Sequence, residues 1–162
     1  MKRYSEKNVY DATQERLEFI FDNFDNIYVS FSGGKDSGLL LNLVLDYKRR
    51  HKIARKIGVF HQDFESQYQL TSDYVARMFE NNMRDIEPYW VCLPMGSRCA
   101  VSNFQMYWYP WDEDMKDAWV RPMPKMPYII NLENNPFDFY QLKMPQEDLY
   151  EEFGRWYART HK

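Results

Sequence analysis

The sequence predicts an α/β domain built on a parallel sheet, and three observations carry the prediction. Residues 27–31, 57–61 and 89–93 are β-branched and aromatic runs of strand length. Segments with apolar residues at helical spacing alternate with them. The connections are long, which implies parallel pairing with right-handed crossovers rather than hairpins. This is half of a doubly wound sheet, three to four strands with flanking helices. At 162 residues the chain makes about one domain with a real core.

The elements follow in order. Asp11, with Gln14 three residues later, suits the start of a helix whose Leu17, Phe21 and Phe24 recur at helical spacing, ending near Asn23. Residues 27–31 form the first strand, stopped by Ser32-Gly33-Gly34. From Ser37, the stripe Leu39, Leu40, Leu43, Val44 and Tyr47 makes a helix to about Arg50. The second strand, 57–61, is bounded by Asp63. A helix from about Ser66 turns Tyr68, Thr71, Val75, Met78 and Phe79 toward the sheet. Residues 89–93 make the third strand, ended by Pro94. Residues 94–145 then hold seven of the eight prolines, with a candidate short strand at 128–132. Such a segment is expected to cover one edge or end of the sheet and to carry function. A last helix begins near Pro145, with Leu149, Phe153, Trp156 and Tyr157 on one face. The single domain thus divides into a core (1–93), a loop-rich cover (94–144) and a C-terminal helix (145–162).

Composition narrows the function classes. Net charge is −3, from 21 Lys and Arg against 24 Asp and Glu, so the whole chain lacks the basic footprint of a nucleic-acid binder. The local cluster Lys48, Arg49, Arg50, Lys52, Arg55 and Lys56 lies at a helix C-terminus, on the opposite end of the sheet from a ligand crevice. Cations there complement the helix dipole. No apolar run approaches the roughly 20 residues of a membrane span, and Met1-Lys2-Arg3 leads into polar sequence rather than a signal peptide. The expected compartment is the cytoplasm. Cys92 and Cys99 fit no zinc or iron–sulfur spacing and read as reduced thiols. Aromatic residues reach 18%; Phe104, Tyr107, Trp108, Tyr109 and Trp111 either stack on a base or partner, or plug the cover against the sheet with Trp119.

The chemistry concentrates at Ser32-Gly33-Gly34-Lys35-Asp36-Ser37. A turn from a parallel strand into a helix aims backbone N–H groups outward, and the helix dipole adds positive potential, so anions bind there. Gly33 and Gly34 let the backbone approach a phosphate. Ser32 and Ser37 add hydroxyls, Lys35 a mobile charge, and Asp36 a group for a metal or for orienting the loop. Neither the Walker A spacing nor the dinucleotide Gly-x-Gly-x-x-Gly spacing is present. Asp63 and Glu65 follow the second strand at the same sheet edge. They serve either a ligand or the N-terminus of the next helix. His61 is a candidate for acid–base work or a structural histidine. Arg98, Arg121 and Lys125 are candidate anion contacts from the cover.

The hexapeptide after the first strand resembles the PP-loop of the ATP pyrophosphatases, the adenine-nucleotide α-hydrolase-like superfamily. "FHQDFESQY" (60–68), "CLPMGSRCAVSNFQMYWYPW" (92–111) and "DAWVRPMP" (117–124) resemble its phosphoadenosine-phosphosulfate-reductase-like branch, and within it the IbrA-type regulators. DndC-type DNA sulfur-modification proteins are a more distant likeness. The resemblance implies a Rossmann-like, HUP-type sheet with strand order 3-2-1-4-5. It also implies a bound ATP or phosphoadenosine phosphosulfate (PAPS) with Mg²⁺, and pyrophosphatase, adenylating or reductase-like chemistry. The implied nucleotide site comprises Ser30, Ser32, Gly33, Gly34, Lys35, Asp36, Ser37, Phe60, His61, Asp63 and Glu65, with Lys35 and Asp36 catalytic and Asp36 on the metal. The reductases' C-terminal Glu-Cys-Gly-type motif has no counterpart here. The IbrA-type proteins continue past the equivalent of Lys162, so the expectation is a fragment, a truncated gene or a short variant. The alternative function is a non-catalytic regulator that keeps the fold. Without strands 4 and 5, residues 27–31 become an exposed edge. A homodimer or protein partner at that edge or at the aromatic segment would then cover it, or residues 128–132 would do so internally.

Overall fold

A computed structural model of the protein describes residues 6–161, so the Met1-Lys2-Arg3 leader reading lies outside the described residues. The centre of the fold is β2 (Ile57–Gln62), buried at every position. A strand covered on both faces belongs inside a parallel sheet. It pairs in parallel with β1 (Tyr28–Ser30) on one side and β3 (Ile86–Val91) on the other. Further along the chain, β4 (Ser97–Arg98) and β5 (Tyr107–Trp108) form a separate antiparallel hairpin. Residues Glu113–Ala118 form a 3-10 helix, and β6 (Ile129–Ile130) returns to the sheet beside β3, giving the order β1-β2-β3-β6, all parallel.

Side-chain alternation along the strands sorts the core into two layers. Val29, Phe31, Ile57, Val59, Trp90 and Cys92 face α1 (Val9–Asn23), α2 (Lys35–Arg50) and α3 (Gln69–Asn82). Phe60, Tyr89, Val91 and Leu93 face α4 (Gln146–Thr160) through Leu149, Phe153 and Tyr157. The strands advance in one direction across the sheet, so right-handed crossovers put α2 and α3 on the same face. Gly58 lets α4 approach: a Cβ there would lie 2.8 Å from the Tyr157 ring and 2.9 Å from the Tyr28 Cβ. The Tyr157 hydroxyl donates to the Ile27 carbonyl at 3.2 Å.

Several expectations shift: α2 begins at Lys35 rather than Ser37, and Leu39, Leu40 and Tyr68, read as facing the sheet, are exposed. The first helix starts at Val9 with Asn8 as its cap, whose Oδ1 accepts from Asp11 N at 2.9 Å. Asp11 is the third helical residue and its carboxylate accepts from the Asn8 side-chain amide, so Asn8 and Asp11, not Asp11 and Gln14, fix the helix start. The third strand begins at Ile86, before Pro88. The bonds from Ile57 N to Asp85 O and from Cys92 N to Ile130 O set the alternation, so the Pro88 nitrogen faces the β6 side. There β6 pairs only with Trp90 and Val91, and a missing N–H costs no ladder bond. The third helix starts at Gln69 rather than near Ser66. Finally, residues 128–132 do not cover the first strand: β6 lies at the far edge, and among the described residues no strand pairs with the outer side of β1. Its bonds to β2 run through Ile27 O and Phe31 N, leaving the Tyr28 and Ser30 backbone groups facing outward.

At the opposite end from the glycine turn, five of the six cations in the basic cluster are paired. Lys48, 4% exposed, donates to Asp85 Oδ1 at 2.8 Å; Arg49 meets Asp85 Oδ2 and Asn82. Arg50 bonds Asp46, Arg55 bonds the Phe21 carbonyl, and Lys56 bonds the Met83 carbonyl. The cluster ties α2 and the β2 entrance to the turn before β3. Among the described residues, no helix is long and apolar enough to cross a membrane.

The Lys48 ammonium, followed by Arg49, holds Asp85 below the usual carboxylate range. A carboxylate whose folded pKa is depressed stabilises the fold above its unfolded value, and the contribution is lost as pH falls through the folded value. Asp85→Asn is expected to cost about 2 kcal/mol near neutral pH. The difference from the native chain should vanish as pH falls from about 5 to 2. Urea denaturation across that range measures it.

Candidate functional site at the carboxyl edge of the sheet

The strands β1 and β2 end side by side, and the chain leaves β1 into the glycine turn. Phe31 N donates to Phe60 O at 2.7 Å, and the Phe31 carbonyl accepts from His61 Nδ1, also at 2.7 Å. A carbonyl can only accept, so Nδ1 carries the proton and Nε2 is left to accept from Gln67 Nε2 at 3.3 Å. Burial pushes the His61 pKa down and keeps the ring neutral. His61 therefore braces the start of the turn from the helical face of the sheet, fully buried against Trp90.

Gly33 has φ +82, and a Cβ there would lie 2.8 Å from Cγ2 of both Thr71 and Val75. Backbone conformation and space both demand glycine at this position. Gly34 is the N-cap of α2, with no side-chain cap bond; Gly38 N donates back to Gly34 O at 2.9 Å. Ser37 Oγ donates to Gly34 O at 3.0 Å and lies 3.0 Å from Ser32 Oγ, which accepts from Gly34 N. The two hydroxyls thus knit the turn closed. The amides of Lys35, Asp36 and Ser37 are first-turn donors with no intrahelical acceptor. The Lys35 and Asp36 side chains are exposed at this rim.

Beside the turn, on the α4 face, is a cavity of about 430 Å³ lined by Ser30, Phe31, Ser32, Phe60, Gln62, Phe64 and Tyr150. It is largely aromatic with a few polar groups, the pattern of a small-molecule site. Tyr150 from α4 stands edge-on to Phe60, ring centroids 5.8 Å apart. The turn and cavity share Ser32, so a ligand can place an anionic end on one and an apolar end in the other.

The predicted residues separate into two groups. Ser30, Ser32 and Phe60 line the cavity, and Gly33, Gly34, Lys35, Asp36 and Ser37 form the turn beside it. His61, Asp63 and Glu65 point elsewhere. Asp63, fully buried, accepts from Glu65 N at 2.7 Å, from Trp90 Nε1 at 2.8 Å and from the Arg121 guanidinium. Glu65, 3% exposed with φ +61, accepts from Trp111 N and Val120 N, both at 2.9 Å. Arg121 Nε donates to the Glu65 carbonyl at 2.7 Å. These acids clasp the cover, and Arg121 is committed to them. Arg98 is exposed on the β4–β5 hairpin and Lys125 is exposed in the cover. The aromatic segment divides: Trp111 is buried edge-on to Trp119, while Phe104 stands fully exposed.

Gln62, Phe64 and Tyr150 are cavity residues that the sequence reading did not single out. Gln62 and Phe64 alternate with Asp63 along the strand end, and that parity was the available signal. Nothing in the sequence alone brings Tyr150 to β2.

The chain is 35% identical over 153 residues, 94% of its length, to "Uncharacterized protein YbdN" of Escherichia coli (strain K12). It spans 36% of that protein's length. No known family model matches the chain, and no solved structure matches it.

Removing the cation from a buried carboxylate strands the charge. Arg121→Met is expected to destabilise the protein by about 3 kcal/mol. Because the two groups touch, Asp63→Asn combined with Arg121→Met should cost at least about 1 kcal/mol less than the sum of the single changes. Urea midpoints for the three variants measure this, and strictly additive costs would count against the pairing.

Proposed function

We propose that the protein binds an adenine nucleotide of the ATP or PAPS class, with its phosphates on residues 32–37 and its base and ribose in the adjoining cavity. The observation that supports this best is the junction itself: a Ser-Gly-Gly-Lys-Asp-Ser turn opening directly into an aromatic cavity of about 430 Å³. In this reading the first-turn amides hold phosphate oxygens on a turn knit by the Ser32 and Ser37 hydroxyls, and Lys35 neutralises charge. Phe60, Phe64 and Tyr150 supply the apolar and aromatic surface for the base.

No group of three or more His, Cys, Asp or Glu residues suited to a metal occurs among the described residues. A Mg²⁺ ion carried in on the phosphates fits that donor set, since magnesium usually takes one or two carboxylates and keeps waters and phosphate oxygens. Asp36 is the carboxylate at hand. Such an ion would neutralise charge on the leaving pyrophosphate. In adenylating chemistry a nucleophile attacks the α-phosphorus, its new bond to phosphorus forming as the bond to the bridging oxygen breaks and pyrophosphate departs. This chain would contribute positioning and charge.

One observation favours a regulatory reading of the same site. Asp63 and Glu65, the acids nearest the cavity in sequence, are spent on clasping the cover, which leaves Lys35 and Asp36 as the exposed charged side chains of the turn. A nucleotide-binding regulator needs no more than these. Its partner would dock at the open β1 edge or at the exposed hairpin tip, in the cytoplasm.

Calorimetry with ATP, AMP and PAPS, with Mg²⁺ present, tests the reading, and a folded chain that binds none of them would sink it. Gly33→Ala is expected to weaken ATP binding at least about tenfold, or about 1.4 kcal/mol. Tyr150→Ala should weaken ATP by about 1–3 kcal/mol through lost stacking while leaving inorganic tripolyphosphate binding unchanged. Pyrophosphate release on incubation with ATP and Mg²⁺ separates the enzyme from the regulator.

A further inference from the structure

The cavity wall and the clasp occupy the same four residues. Gln62 and Phe64 line the cavity; Asp63 and Glu65 hold the cover. Three bonds immobilise the backbone on either side of Phe64: Trp111 Nε1 donates to the Asp63 carbonyl at 2.9 Å, Arg121 Nε donates to the Glu65 carbonyl, and Glu65 N donates to Asp63 Oδ1. Glu65 sits at φ +61 and Trp111 at φ +56, conformations that persist for such residues only where surroundings over-determine them. Each holds the other: the Glu65 carboxylate takes the Trp111 amide at 2.9 Å, and Arg121 lies over the Trp111 ring at 5.0 Å. If the cover lifts, the Glu65 carboxylate loses both of its donors and the backbone carrying Phe64 loses two of its three restraints.

We propose that residues 111–121 and the cavity form one coupled unit, with Glu65 and Arg121 acting as positioning residues that set the Phe64 wall. The proposal rests on the nucleotide reading of the cavity and adds its regulation: a ligand against Phe64 stabilises the closed cover, and anything that loosens the cover weakens the ligand. Coupling of this kind is reciprocal and is typically about 5–150-fold in affinity. The phosphate end of the ligand lies outside it. The turn is braced separately, by His61 and by the hydroxyl pair Ser32 and Ser37.

The test begins with the native chain. Hydrogen exchange with and without ATP and Mg²⁺ should show peptides containing the Trp111 and Val120 amides slowed at least about fivefold by ligand. ATP binding that leaves those peptides unchanged overturns the coupling while the nucleotide reading stands. A native chain that binds no ATP by calorimetry overturns both. Glu65→Gln keeps the shape of the side chain but leaves one carboxylate acceptor as an amide donor facing an N–H. It should lower ATP affinity about tenfold, with tripolyphosphate affinity unchanged, and should abolish the ligand-dependent slowing at Val120. Equal losses for ATP and tripolyphosphate, or no loss for ATP, would overturn the positioning role. If Glu65→Gln does not fold, the exchange result on the native chain decides.

Discussion

The structure turns on the burial of two carboxylates at the end of its central strand. Asp63 and Glu65 lie with their oxygens out of water, and such a burial is tolerable only when every lone pair that needs a donor has one. Most of the donors come from far along the chain, the Trp111 and Val120 amides and the Arg121 guanidinium; Trp90 and the Glu65 amide are the local ones. One requirement therefore folds a proline-rich segment of no regular period over the sheet. It explains how residues with little secondary structure keep a defined path, and why Trp111 in that segment is fully buried.

The βαβαβ core was legible because its signals are local. Strand runs, helical stripes and glycine punctuation fall within windows of a few residues, and the observed elements differ from the reading mainly at their ends. Pro88 shows why the third strand was read late: a proline inside a strand argues against that strand unless its nitrogen faces an unpaired side, which depends on how short β6 is. Residues 128–132 were legible as a strand but not as to place, because two residues of extended chain can pair with either edge. The turn at residues 32–37 was readable as a break between strand and helix, but its boundary moved: α2 begins at Lys35 with Gly34 as its N-cap rather than at Ser37.

The acids and the histidine were a harder case. Sequence puts His61, Asp63 and Glu65 at the carboxyl edge of the sheet, and they lie at that edge. Side-chain parity then sends His61 under the turn and the two acids into the cover, while Phe60, Gln62 and Phe64 take the opposite face. Position along a strand can be read from composition, but facing depends on which face the crossover helices occupy. The same limit hid Tyr150, whose approach to Phe60 depends on α4 packing over the open space above Gly58.

The two sides of the sheet are unlike. Beyond β6, the Ile129 carbonyl is already taken by Asn134 Nδ2 at 2.8 Å, and Pro88 offers no N–H further down β3. That side is closed by its own chemistry. Along β1 the Tyr28 and Ser30 backbone groups face outward, next to a Ser30 side chain that borders the cavity. The sheet consequently has a direction of growth: any strand added by more chain or by a neighbour has one receptive flank, and it would arrive beside the mouth of the site.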